Sequence, residues 1–140
     1  SVFSGDYKKD NGIINTFRPI SSKPPVYDLT PIGPANIILL SPELELLFTK
    51  NLSVTFRYLN VSRYSSSDGL YPSDMRKMTR EPDASGMHVL KGVAFDLQYV
   101  PNKHVILLLY GGLFQPGNYI RNTGRGKNLE ALSLRANYKF

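Results

Sequence analysis

The chain has 140 residues, enough for one domain and too few for a comfortable second. Lys and Arg number 17 against 11 Asp and Glu, so the net charge is +6, which favours anionic partners without fixing a fold. With 41% hydrophobic and 20% charged residues the chain is too apolar for disorder; the absence of cysteine removes disulfides, thiolate zinc sites and a Cys nucleophile, and no apolar run is long enough for a transmembrane helix.

Residues 1–35 hold five of the ten prolines (Pro19, Pro24, Pro25, Pro31, Pro34), and proline removes a ladder donor from a strand. This segment reads as irregular. From Asn36 the period becomes two. Leu44, Leu46 and Phe48 alternate with Glu43, Glu45 and Leu47. After a Lys50-Asn51 turn, Leu52, Val54, Phe56 and Tyr58 alternate with Ser53, Thr55 and Arg57. That is a strand pair with one apolar and one polar face. The polar stretch from about Ser65 to Gly86, with Gly69, Pro72 and Pro82, reads as a long loop. Val93, Phe95, Leu97 and Tyr99 then alternate with Ala94, Asp96 and Gln98. Pro101 to His104 forms a tight reversal, and Val105–Leu113 is a strand apolar on both faces. Gly117 to Asn128 reads as a second polar loop. The chain ends on Leu132, Leu134, Ala136, Tyr138 and Phe140, interleaved with Ser133, Arg135, Asn137 and Lys139.

About five strands result, joined alternately by short turns and long loops, with no helical periodicity. A soluble sheet with one wet face is the plain interpretation of such alternation. Three features favour a membrane wall. Turn lengths alternate short and long, as in outer-membrane barrels. The strands reach the length needed to cross the hydrocarbon layer. Aromatic residues gather at strand ends (Tyr58, Tyr99, Tyr110, Phe114, Tyr138, Phe140), where interfacial girdles sit. The chain also stops on an aromatic residue closing an amphipathic strand. With the C-terminus periplasmic, every long segment, including residues 1–35, falls on the external side. Five strands are below the smallest single-chain barrel. The expected architecture is therefore an all-β, antiparallel up-and-down meander, the C-terminal part of a transmembrane β-barrel, with residues 1–140 as one barrel segment. Residues 1–35 form its external Pro-rich part and 36–140 its strands and loops.

Several short runs, taken in order, resemble the C-terminal region of the alginate export family of outer-membrane β-barrels. They are Ser4-Gly5-Asp6, Asn15-Thr16-Phe17-Arg18-Pro19, Gly33-Pro34-Ala35-Asn36, and Asp68-Gly69-Leu70-Tyr71 following Arg63. They continue with Asp96 to His104, Phe114-Gln115-Pro116-Gly117-Asn118-Tyr119-Ile120, Thr123-Gly124, and the closing Tyr138-Lys139-Phe140. The resemblance covers nearly the whole chain. It implies a bacterial outer-membrane location and passage of a negatively charged polymer such as alginate. Ile106, Leu108 and Tyr110 stand where that family usually places polar lumen residues.

If Leu52, Val54, Phe56 and Tyr58 face lipid, parity turns Arg57, Glu45, Asp96, Gln98, Arg135, Asn137 and Lys139 toward the lumen. Basic groups there would concentrate anions. The alternative is a structural network in which Arg57 and Arg135 pair with Glu45 and Asp96. Around Leu59, Asn60, Val61 and Ser62 parity is expected to break at a bulge, which leaves Arg63 without a face. His88 and His104 lie far apart in sequence with no nearby carboxylate at ligand spacing, so metal binding by them is not expected. Thr123 to Lys127 lacks P-loop spacing, and no triad or carboxylate pair is visible. The expectation is a non-enzymatic pore or exporter wall for anionic or sugar-like solutes, with no cofactor, no metal and no nucleic-acid partner. Its expected partners are outer-membrane lipid, upstream strands or another chain at the sheet edges, and anionic polysaccharide. By resemblance, Tyr138 and Phe140 form a signal for the barrel-assembly machinery. A soluble β module for carbohydrate or another anionic ligand is the competing function.

Overall fold

The computed structural model describes residues 1–5, 16–17, 30, 32–72, 85–124 and 126–140. In chain order the elements are β1 (Val2–Phe3), β2 (Ile37–Leu40), β3 (Glu43–Thr49), β4 (Leu52–Arg63), β5 (His88–Asn102), β6 (Val105–Pro116), α1 (Asn118–Asn122) and β7 (Leu129–Tyr138). They make one antiparallel sheet in the order β1-β2-β4-β5-β6-β7, with β3 also paired to β4. Strands β2 and β3 flank successive parts of β4 and are separated by Ser41-Pro42. Pro42 lacks an amide donor, but its carbonyl accepts from the Tyr58 amide at 3.1 Å, so the flank continues past it. The up-and-down meander expected from the sequence is present, and the sheet does not close on itself.

Two details depart from the expectation. The first residues are not wholly irregular, because Val2 and Phe3 pair with Ile38 and Ile37. The Gly117–Asn128 stretch contains the short helix α1. The loop acids and bases from Asp74 to Asp83, together with Arg125, Asp6, Asn15, Arg18 and Pro19, lie outside the described residues.

The two short turns sit at one end. The Val100 amide donates to Asn51 O at 2.8 Å, and the Lys139 amide donates to His104 O at 2.8 Å. Asn102 holds its reversal by accepting from the amides of His104 and Val105 at 2.9 and 3.1 Å, the usual service of an Asx side chain in a turn.

Register carries the faces across the sheet. Leu44, Phe56, Phe95, Gly111 and Leu132 form one transverse row, and Leu46, Val54, Leu97, Leu109 and Leu134 form another. A direct two-residue hairpin at Lys50-Asn51 would put Leu44 opposite Arg57. A one-residue irregularity between Leu47 and Thr49 corrects this, so that Glu43 opposes Arg57 and Leu44 opposes Phe56. A bulge in a period-two element exchanges the faces of everything beyond it.

The apolar face is uncovered. Leu44, Leu46, Phe56, Tyr58, Val93, Tyr99, Leu113, Leu132, Leu134 and Tyr138 are all at least 38% exposed. Such a set makes a patch on the order of 1,000 Å², against roughly 300–600 Å² for the largest patch on an ordinary soluble monomer. Among the described residues the buried core lies on the opposite face at the loop end, where Ile32, Ile37, Leu59, Val61, Leu70, Val89, Leu90, Ala94, Phe114 and Tyr119 cluster. Parity therefore does not break in β4. Leu59, Val61 and Arg63 stay on the Arg57 face, and that face passes from polar to packed. The expected bulge is present at Val61-Ser62, but its extra residue is in β5, where Val61 opposes Leu90 and Ser62 opposes His88.

Candidate functional site: a two-zone polar face

The polar face has a packed zone at the loop end and an open zone toward the turns. In the packed zone Arg63 is 4% exposed. Its Nε and Nη2 donate to Gly86 O at 3.1 and 2.6 Å, and its Nη1 donates to Ser66 O and Asp68 O at 3.3 and 3.0 Å. The guanidinium also lies 4.1 Å from the centre of the Tyr119 ring, inside cation–π range. A planar fork with five N–H groups reaches carbonyls spaced around its edge, whereas an ammonium offers three donors from a single nitrogen.

Asn36 is fully buried with φ of +52°, a conformation Asn tolerates better than most residues. Its Nδ2 donates to Ser65 O and Gly69 O at 3.1 and 3.0 Å, and its Oδ1 accepts from the Ser65 amide at 2.7 Å. Ser4 O accepts from the amides of Phe17 and Asn36, both at 3.1 Å. A Cβ on Gly5 would stand 1.9 Å from Asn36 Oδ1, so this approach requires glycine. Asp68 accepts from the Thr16 hydroxyl, from the Tyr71 hydroxyl at 2.7 Å and from the Gly69 amide at 2.8 Å.

The 114–124 run folds onto the same zone. Phe114 is buried in the cluster, and Pro116 ends β6 opposite Leu90. The Gly117 amide donates to Val89 O at 2.7 Å, and a Cβ on Gly117 would meet His88 O at 2.2 Å. Asn118 Oδ1 accepts from the His88 amide at 3.0 Å. Helix α1 then presents Tyr119 beneath Arg63, and Gly124 leaves it at φ of +79°. Runs dispersed through the sequence thus meet at one place.

The open zone holds most of the sequence candidates. Arg57 donates through Nε and Nη2 to both oxygens of Glu43, at 2.9 and 3.2 Å, and through Nη1 to Asp96 at 2.8 Å. Glu45 shares the face opposite Thr55, exposed and outside this trio. The partner on that strand is Glu43. The signal for it was the parity conflict across the Lys50-Asn51 turn, which demands a bulge. Gln98 and Arg135 lie in one row with Leu108 between them, and Asn137 opposes Ile106. Arg135 is exposed and joins no carboxylate among the described residues; its guanidinium sits 5.6 Å from the centre of the Tyr110 ring. Lys139 lies past the end of β7, at the rim beside His104, whose Nδ1 is 2.9 Å from Lys139 O. Tyr138 stacks on His104 with centroids 6.0 Å apart, and Phe140 meets Tyr138 edge-on at 5.2 Å. His88 stands at the other end, its Nε2 3.1 Å from Asn60 Oδ1.

An open up-and-down sheet with one bare apolar face and one polar face describes the wall of a transmembrane β-barrel. The alginate export family model matches residues 2–132, and the chain belongs to that family. The family is one of outer-membrane transport barrels rather than enzymes. No curated protein and no solved structure is significantly similar to the chain.

Proposed function

We propose that this chain forms part of the wall of an outer-membrane pore that passes anionic, sugar-like polymers such as alginate. The bare apolar face carries the reading. In water it would be a large aggregation-prone surface, whereas lipid satisfies it. The soluble binding module has no comparable use for it. The span fits as well. From Leu113 to Val105 on β6 the apolar rows cover about 27 Å along the strand at roughly 3.4 Å per residue. At a tilt near 40° that becomes about 20 Å, close to the roughly 25 Å band of such barrels.

The polar face then lines the lumen. Arg57 is held by Glu43 and Asp96, so it works chiefly as a brace across three strands. Arg135 is better placed to meet an anion, because it is exposed, lies by the Tyr110 ring and shares a transverse row with Gln98 across Leu108. A ring and a guanidinium side by side suit a uronate, one for the sugar face and the other for the carboxylate. The packed zone narrows the external end, and upstream strands or another chain complete the wall at β7 and at the opposite edge formed by β1 and β3.

The test is conductance of the assembled barrel in planar bilayers, with oligouronate as blocker. Arg135→Glu should lower anion selectivity and weaken block at least tenfold, while Arg135→Lys retains most of both. Unchanged selectivity and block in Arg135→Glu would remove this residue from the solute path.

A further inference from the structure

The apolar face is not uniform. At the loop end it carries a groove of about 400 Å³ lined by residues that include Tyr58, Val93, Leu113, Lys91, Gln115 and Glu130. Register orders these residues by height. Tyr58, Val93, Leu113 and Glu130 form the last row of the apolar band, and Asn60, Lys91 and Gln115 form the polar row above it. Backbone at Gly92 lies between the two rows. The volume falls inside the roughly 300–1,000 Å³ of ordinary small-molecule sites. Lys91 is exposed and joins no carboxylate among the described residues. Glu130 stands two strands away on the far side of the groove.

We infer that this groove binds a phosphorylated glycolipid of the external leaflet, with an acyl chain along Val93 and Leu113, its phosphate on Lys91 and a headgroup hydroxyl donating to Glu130. The inference rests on the lipid-facing reading of the apolar face. Three observations converge on that occupant. The groove opens on the face left bare by the fold, it is apolar below and polar above, and an exposed cation that joins none of the described carboxylates stands at the step between the two. An amphipathic anion with a long apolar tail matches that layering. A free anion would leave the apolar floor unused. A basic side chain at such an interface also gains from attraction to anionic lipid, and the Tyr58 ring supplies the amphipathic edge seen at membrane interfaces.

The experiment uses the protein assembled in the outer membrane, extracted in mild detergent and examined by native mass spectrometry after addition of diphosphoryl lipid A, of phosphatidylcholine, or of inorganic phosphate. The wild type should retain one diphosphoryl lipid A in preference to phosphatidylcholine, with millimolar phosphate failing to displace it. Lys91→Gln should lower retention about fivefold, the loss of one interfacial basic residue, and Lys91→Arg should restore it. Val93→Trp, which fills the groove while keeping it apolar, should also lower retention. Lys50→Gln, at the turn end, should leave it unchanged. Equal retention by Lys91→Gln, equal loss in Lys50→Gln, or displacement by inorganic phosphate would each overturn the site. Membrane fractionation of the same samples separates this from the broader reading. A protein absent from the membrane overturns the lipid-facing face itself, whereas an inserted, heat-modifiable protein with unchanged lipid retention overturns the groove alone.

Discussion

Arg57 and Arg63 share a strand and a face, yet their surroundings give them different work. Arg57 meets two carboxylates in a partly wet setting, where ion pairs contribute modestly. Arg63 meets backbone carbonyls in a nearly dry one, where every unpaired acceptor costs about 1–3 kcal/mol. Replacing Arg63 with Met should therefore destabilise the folded protein by about 2–4 kcal/mol, and Lys should recover only a minority of that because its single nitrogen cannot reach carbonyls spaced around the guanidinium fork. Urea titration of heat-modifiable protein reads this directly. A midpoint within error of wild type in Arg63→Met would mean that the loop end is held elsewhere. The sequence marked Arg63 only as a motif neighbour, since nothing local says that its partners lie on Gly86, Ser66 and Asp68.

The strands illustrate what periodicity can and cannot convey. Alternation in β3, β4, β5 and β7 was legible because one face is apolar along most of each strand, and period-two patterning needs no knowledge of partners. The faces of β6 came only from its neighbours, because Val105 to Leu113 is apolar on both sides. The packed zone was not legible for a related reason: Leu59 and Val61 looked like a break in pattern, although it was the environment that changed. Helix α1 was missed because five residues are too few for a 3.6-residue period to register. The irregularity at Phe48 is the testable element. Deleting Phe48 should force either loss of pairing with β4 or a register that turns Glu43 and Glu45 to the apolar face. Acidic residues near the midplane of such a face are costly, although less so than basic ones. The amount of heat-modifiable barrel in the outer membrane should fall several-fold. Replacing Phe48 with Leu, which keeps the extra residue, should preserve it. Normal assembly of the deletion would show that β3 tolerates either register.

At the scale of the whole molecule β7 edges one side of the sheet, while β3 at the turn end and β1, laid on β2, at the loop end edge the other. In lipid an unpaired amide or carbonyl costs several kcal/mol, so two bare edges through the hydrocarbon layer exceed what the small core at the loop end can offset. The 140 residues alone should therefore not persist as a folded monomer in a bilayer. They should pair edge to edge as oligomers or remain unfolded, while the complete wall protects both edges. Hydrogen exchange followed along β7 makes the distinction, because only alternate residues there bond to β6. In the complete protein the other alternate set should also be slow to exchange, and in the isolated chain that set should exchange fast unless the chain has associated with a second copy. Arg135 and Ser133 share the polar face and Leu132 and Leu134 the apolar one, so any new partner of β7 must align its own apolar rows with these to avoid carrying polar side chains into lipid. A monodisperse monomer with both alternate sets protected would mean that these residues close their own sheet, and the wall-segment reading would fall with it.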